Sequence, residues 1–219
     1  MAAARVRYQT FEFGEFSEVD IHLRTLRDRQ QFADEKGIAE AVGIGSASWP
    51  MFGVVWASSE VLARLMWQQD ITDLRILEVG CGIGLTSLAL NHRCADITAT
   101  DHHPEAARFL LENTHLNRDP DIPFVRTGWG EVDELLGKFD LIVGSDLLYE
   151  RDHAELLSGF INTHAKPHCQ VIIVDPGRSH RGDFSRRMLR LGYDNSNTRV
   201  IETKALDEPY SGHILDFRR

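Results

Sequence analysis

From about residue 56 onward, short apolar runs alternate with longer stretches in which apolar residues recur at helical spacing. The runs RILEV (75–79), DITAT (96–100), PFVRT (123–127), FDLIVGS (139–145) and CQVIIVD (169–175) predict strands. Helical periodicity fills the gaps over Leu85–His92, Pro104–Asn117, Asp152–His164 and Phe184–Leu191. Ahead of them, Ser58 is placed to cap a helix whose apolar face is Val61, Leu62, Leu65 and Met66. Continuous apolar strands separated by helices imply a doubly wound, mostly parallel α/β sheet with both faces covered. The two ends have a different texture. RYQTFEFG and VDIHLRTL alternate around a turn-like Gly-Glu-Phe-Ser-Glu, which predicts an N-terminal β-hairpin, followed by a polar, glycine-punctuated stretch holding at most a short helix. TRVIETK (198–204) and GHILDFRR (212–219) flank a Pro-Tyr-Ser-Gly turn, which predicts an antiparallel C-terminal hairpin. The expected organisation is an extension over residues 1–45 and one ligand-binding domain over residues 46–219.

Composition narrows the classes of function. The 219 residues carry 24 basic and 33 acidic side chains, a formal charge of −9. That balance disfavours a partner held chiefly through phosphates, so no nucleic acid is expected, and it tolerates a small molecule or a basic protein segment. Apolar stretches are interrupted within a few residues, so no membrane span is expected, and the N-terminus lacks the apolar core of a secretory signal. Cys81, Cys94 and Cys169 are widely spaced and odd in number, which suits a reducing cytoplasm rather than a disulfide framework. The ten histidines are scattered along the chain, and no metal is expected.

The stretch ILEVGCGIGLTSLAL (76–90) concentrates the candidate chemistry. Gly80, Cys81, Gly82, Ile83 and Gly84 follow the first core strand, where open parallel sheets bind ligands. A dinucleotide fingerprint needs glycine at the sixth position, and Leu85 stands there; a P-loop needs Gly-Lys-Ser/Thr, and no lysine is near. Glu78 closes the strand with an acid, which repels phosphate and suits a cationic ligand. Asp101 ends the next strand 21 residues beyond Gly80, the usual distance for a carboxylate that accepts from ribose hydroxyls. A ribose, no phosphate and a positive charge together describe S-adenosylmethionine. The bland alternative is that the glycines only make a tight strand–helix turn.

Residues 74–104 resemble motif I and the following acidic strand of the seven-stranded, Rossmann-like S-adenosylmethionine-dependent methyltransferases, a fold that also has a reversed final strand. A second motif, GSDLLYE (144–150), ends the fourth core strand at the same rim. With SWPMFGVVW (48–56) and GWGE (128–131), it resembles the protein-lysine methyltransferase-like group called methyltransferase family 16, marked by Asp/Glu-x-x-Tyr/Phe. The resemblance covers about residues 48–175. It implies catalytic roles for Asp146 and Tyr149, with Asp146 orienting an acceptor ammonium and the aromatic face holding a methylammonium. It implies cofactor contacts at Trp56, Trp129 and Ser145 beside the glycine loop (Gly80, Cys81, Gly82, Gly84), Glu78 and Asp101, with His102 edging the adenine slot. Gly128 departs from the polar or acidic residue common before that tryptophan, which leaves the adenine contacts less defined than the ribose contacts. Asp146 as a turn cap and Tyr149 as a wall residue remain the bland readings.

The expected function is transfer of a methyl group from S-adenosylmethionine to a protein lysine nitrogen. A small-metabolite acceptor and a non-catalytic cofactor-binding module are the alternatives. The five arginines of DPGRSHRGDFSRRMLR (175–190) read as a solvated helix face, with a surface for an acidic substrate as the alternative. Cys81 has no evident histidine partner, and methyl transfer needs no nucleophilic thiol.

Overall fold

The computed structural model describes residues 5–14, 18–28, 34, 37–41, 43–45, 51–130, 136–199, 206 and 210–219, with the backbone alone for 196–199. Strands β1 (Val6–Phe13) and β2 (Val19–Leu26) form the expected antiparallel hairpin, in the register Phe11↔Ile21 and Phe13↔Val19. A single turn, α1 (Ile38–Ala41), follows. The body then runs α2 (Ala57–Gln68), β3 (Arg75–Val79), α3 (Leu85–His92), β4 (Asp96–Asp101), α4 (Ala106–Asn117), β5 (Phe124–Arg126) and β6 (Phe139–Ser145). It continues through α5 (His153–His164), β7 (Ala165–Asp175), α6 (Arg181–Arg190), β8 (Asp194–Arg199) and β9 (His213–Arg218). No described helix is long and apolar enough to cross a membrane.

The seven-stranded sheet has the order β5-β4-β3-β6-β7-β9-β8, parallel except for β9, which is antiparallel to both neighbours. The chain therefore moves outward from β3 in one direction and outward from β6 in the other. The crevice beyond the carboxyl ends of β3 and β6 is the topological switch point, where such sheets bind ligands.

Period-two alternation divides the central strands between two cores. Ile76, Leu141, Val143, Ile172 and Val174 face the layer containing α2, α3, α4 and the hairpin. Leu77, Val79, Ile142, Val171 and Ile173 face the layer of α5 and α6. Each strand thus lies between two apolar layers, which explains why its sequence reads as continuously apolar rather than alternating with polar residues.

Several boundaries differ from expectation, with β7 starting at Ala165 rather than Cys169 and α6 at Arg181 rather than Phe184. Ser58 is not a cap: Trp56 occupies the N-cap in extended conformation, and the Ser58 hydroxyl shares a hydrogen bond with Tyr210 Oη at 2.8 Å. The strand before β9 begins at Asp194, earlier than the apolar alternation of TRVIETK suggests. It pairs Asp194↔Arg218 through Arg199↔His213 at the outer border of the sheet, where the polar DNSNTR run is tolerated and discourages further pairing. Residues 200–205 lie outside the described residues.

The N-terminal hairpin is docked by backbone hydrogen bonds as well as by burial of Phe13, Ile21 and Leu23. His22 N–H donates to Asn117 Oδ1 and Arg24 N–H to Asn113 Oδ1, both at 2.7 Å, so two asparagines of α4 occupy the free edge of β2. Buried Asn113 also donates to Ile83 O in the glycine loop at 3.2 Å, which ties the hairpin to the sheet's ligand-binding end.

Candidate active site

A cavity of about 410 Å³ fills the crevice at the switch point. Its walls come from segments that follow β3, β4, β5 and β6 and from the segment leading into α2. Of the residues singled out by sequence, Trp56, Gly80, Cys81, Gly82, Asp101, His102, Trp129, Ser145, Asp146 and Tyr149 line it. Glu78 and Gly84 do not. Residues 46–50, including the Trp49-Pro50 pair, and residues 131–135 lie outside the described residues.

The glycine loop turns because its φ angles are left-handed, +62° at Gly80 and +59° at Gly82. A Cβ at Gly80 would stand 2.5 Å from Leu147 Cδ2, so the loop and the segment after β6 approach as closely as atoms allow. A Cβ at Gly82 would meet nothing within 4 Å, which leaves that backbone open to the cavity. Gly84 faces elsewhere: it is the N-cap of α3, and a Cβ there would lie 2.3 Å from Leu110 of α4.

Two acids fix the loop. Asp101 accepts from Gly82 N–H at 2.8 Å and from His103 N–H at 2.7 Å, one oxygen each, and so fastens the β3 loop to the β4 loop. Loss of solvent raises its pKa, and the two backbone donors oppose that rise. Glu78 is buried and points into the α3 layer, where its carboxylate accepts from the Ser87 N–H at 2.8 Å and from the Ser87 hydroxyl. Burial pushes its pKa up to about 7 despite those bonds. Its contribution is to hold the first turn of α3 against the strand, one layer behind the cavity. Burial, with Asp101 and Glu78 nearby, raises the Cys81 thiol well above its ordinary value, so Cys81 carries no thiolate.

The β4 side of the cavity is aromatic. Phe52 stacks on His103 with centroids 3.6 Å apart and an interplanar angle of 8°. Burial holds His103 down at about 4, which keeps the imidazole neutral near pH 7. The hairpin reaches this wall too, since Leu26 N–H donates to Gly53 O at 2.7 Å in the segment carrying Phe52.

The β6 side is charged. Val79↔Gly144 pairing sets Gly80 opposite Ser145, and a Cβ at Gly144 would stand 2.9 Å from Val79 O, so only glycine fits there. Asp146 follows with a left-handed φ of +54° and donates its N–H to Val174 O at 2.8 Å. Its side chain does not stand open. Arg178 grips both carboxylate oxygens, Nε to Oδ1 at 2.8 Å and Nη2 to Oδ2 at 3.0 Å. Tyr149, three residues on, packs edge-on against His153, whose ring also meets Trp129 edge-on. Removal of water, with Asp101, Glu150 and Asp146 close by, pushes the Tyr149 hydroxyl up to about 12, so it stays protonated at neutral pH.

The lysine methyltransferase family model matches residues 40–188, a segment that contains every group just described except Leu26 of the hairpin. The chain belongs to the lysine methyltransferase family. It is a class I, Rossmann-like member of that S-adenosylmethionine-dependent group. Among its relatives, protein N-lysine methyltransferase METTL21A of Danio rerio is 34% identical over 115 residues, covering 48% of this chain and 52% of that protein. Electron transfer flavoprotein beta subunit lysine methyltransferase of Xenopus laevis is 28% identical over 168 residues, covering 73% of this chain and 64% of that protein. The chain thus spans between half and two thirds of the length of these two relatives. The crystal structure of ribosomal protein L11 methylase from Lactobacillus delbrueckii subsp. bulgaricus shares the fold, with a TM-score of 0.59 at 23% identity over 78% of this chain and 82% of that one.

Among the groups that sequence reasoning did not assign to the site are Arg178, His153 and Gly144, whereas Met51 and Phe52 were open between a substrate lip and plain packing. Arg178 stood in an arginine-rich stretch of which Arg186 and Arg187 pair with Asp183 on α6, while Arg181 reaches the His213 ring on β9. The signal for Arg178 was the Asp-Pro-Gly turn immediately before it, which detaches it from the helix.

Proposed function

We propose that this protein transfers a methyl group from S-adenosylmethionine to a side-chain nitrogen of a protein, with lysine as the acceptor. The observation that carries the reading is that the acid-pinned glycine loop and the Asp146–Tyr149 wall share one cavity at the switch point. S-adenosylmethionine, when bound, supplies an activated methyl on a sulfonium. The residues suit it: Gly82 leaves open space above the loop, Asp101 retains acceptor capacity toward ribose hydroxyls, and among the described residues no lysine or arginine lines this cavity. Trp56, Trp129, His102 and Ser145 complete the cofactor's surroundings in this proposal, with Cys81 as part of the loop. Glu78 and Gly84 support the loop from behind.

Methyl transfer is a single in-line displacement, so the chain's own contribution is alignment. Asp146 offers a buried carboxylate to the acceptor ammonium, and Tyr149, held neutral, offers an aromatic face to it. The acceptor must lose a proton before its lone pair can attack; water or Asp146 takes that proton. A cytoplasmic setting fits three free cysteines, two of them buried. The hairpin, bonded to both α4 and the segment carrying Phe52, belongs in this proposal to the framework of the site.

Labelled S-adenosylmethionine incubated with the protein and a cell lysate tests the reading. Label in discrete protein bands, located on lysine by mass spectrometry, is the expected result. Label confined to small molecules would replace the protein acceptor with a metabolite. Cofactor binding without any transfer would leave a binding module.

A further inference from the structure

The acceptor wall already contains a cation. Asp175, fully buried at the end of β7, accepts from the backbone N–H groups of Gly177 and Arg178, both at 2.8 Å, and so fixes the turn that presents Arg178. From that turn the guanidinium reaches back to Asp146 and satisfies both of its oxygens. The partners are unequally placed: the Asp146 side chain is 8% exposed and the Arg178 side chain 36%. The acid is therefore fixed by its backbone and its burial, and the arginine is the partner that can leave into solvent. A second cavity of about 360 Å³ adjoins the first; Trp56 and Asp146 line both, while Arg178 and Tyr210 line only the second.

Resting on the methyltransferase reading above, we propose that Arg178 determines acceptor specificity by occupying the cation subsite at Asp146, so that an acceptor enters by displacing it through the second cavity. A cationic side chain can make that exchange, because it replaces one positive charge on Asp146 by another. An uncharged acceptor would strand a buried carboxylate without a counter-charge and is rejected. The ion pair also lowers the apparent affinity for the correct acceptor, since only the fraction of molecules with Arg178 displaced is competent.

The test uses the full chain saturated with S-adenosylhomocysteine and titrated with n-butylammonium, a mimic of the lysine terminus, with n-butanol as the neutral control. NMR shifts around Tyr149 report binding in the wild type, Arg178→Gln, Arg178→Lys and Asp146→Asn. Arg178→Gln is expected to bind n-butylammonium about fivefold more tightly than the wild type, equivalent to about 1 kcal/mol. Arg178→Lys should fall between them, because lysine keeps the charge but loses the two-pronged grip. Asp146→Asn should lose the preference for n-butylammonium over n-butanol. Equal or weaker binding by Arg178→Gln, folded by its melting curve, would overturn the proposal and leave Arg178 as a residue that positions Asp146. Should Arg178→Gln fail to fold, Arg178→Lys decides: tighter binding supports the gate, and unchanged or weaker binding overturns it. Absence of methyl transfer to any acceptor, with the butylammonium ranking intact, would instead count against the methyltransferase reading.

Discussion

The two walls of the cavity are built by different means. On the β3–β4 side the glycine loop presents backbone to the cavity beside the Phe52–His103 stack, and acids hold it by accepting local N–H donors: Asp101 from Gly82 and His103, Glu78 from Ser87. On the β6–β7 side the surface is side chain, and its organising contact is one ion pair between residues 32 positions apart. The first construction gives a preformed cradle whose shape survives only if every short contact is kept. The second gives a charge balance that a ligand can exchange. A cofactor common to many reactions suits the former, and a variable acceptor suits the latter.

The largest expected effect breaks the cradle. Asp101→Ala strands two backbone N–H groups and removes the proposed ribose acceptor, so S-adenosylmethionine affinity should fall on the order of a hundredfold, about 3 kcal/mol. Calorimetry giving an affinity within about threefold of the wild type would erase the distinction between the walls. Next comes Asp146→Asn, which should lower the turnover of a protein acceptor by about tenfold or more while leaving cofactor affinity intact. A matching loss of cofactor affinity would mean that the walls are not separable.

A third prediction concerns pH. Glu78 has a folded-state pKa of about 7 against an ordinary value of 4.5. Its folded form therefore binds the proton more tightly than its unfolded form, so its contribution to stability is complete below about pH 4.5 and is lost as pH rises through about 7. Glu78→Gln should melt close to the wild type at pH 5 and a few degrees above it at pH 8. Parallel melting curves across that range would deny the buried proton. The smallest effect is expected on α6, where Arg187 pairs with Asp183 and Glu155 at the surface. Arg187→Gln should move Tm by no more than about 2 °C and leave methyl transfer unaltered, which separates this arginine from Arg178.

The cradle was legible in the sequence because it is local. Gly80, Gly82 and Asp101 announce themselves by spacing along one β-α-β unit, and α3 begins and ends where its periodicity places it. The sheet was legible for a similar reason: strands buried on both faces read as short apolar runs. Glu78 shows the limit of such spacing. Its position at the strand end is the expected one, yet strand alternation turns its carboxylate into the α3 layer rather than the cavity. The Asp146–Arg178 pair was not legible, because the Asp-Pro-Gly turn sets Arg178 apart from the helix but nothing in the spacing says that it meets an acid 32 positions away. β8 starts earlier than its apolar alternation for yet another reason: a border strand need carry little apolar pattern.

A crystal structure of the protein with S-adenosylhomocysteine tests the division of the cavity most directly. The ribose hydroxyls should lie within hydrogen-bonding distance of Asp101, with the sulfur turned toward Asp146 and Tyr149. An adenosine group seated in the Arg178–Tyr210 cavity, or bound with no contact to Asp101, would contradict it.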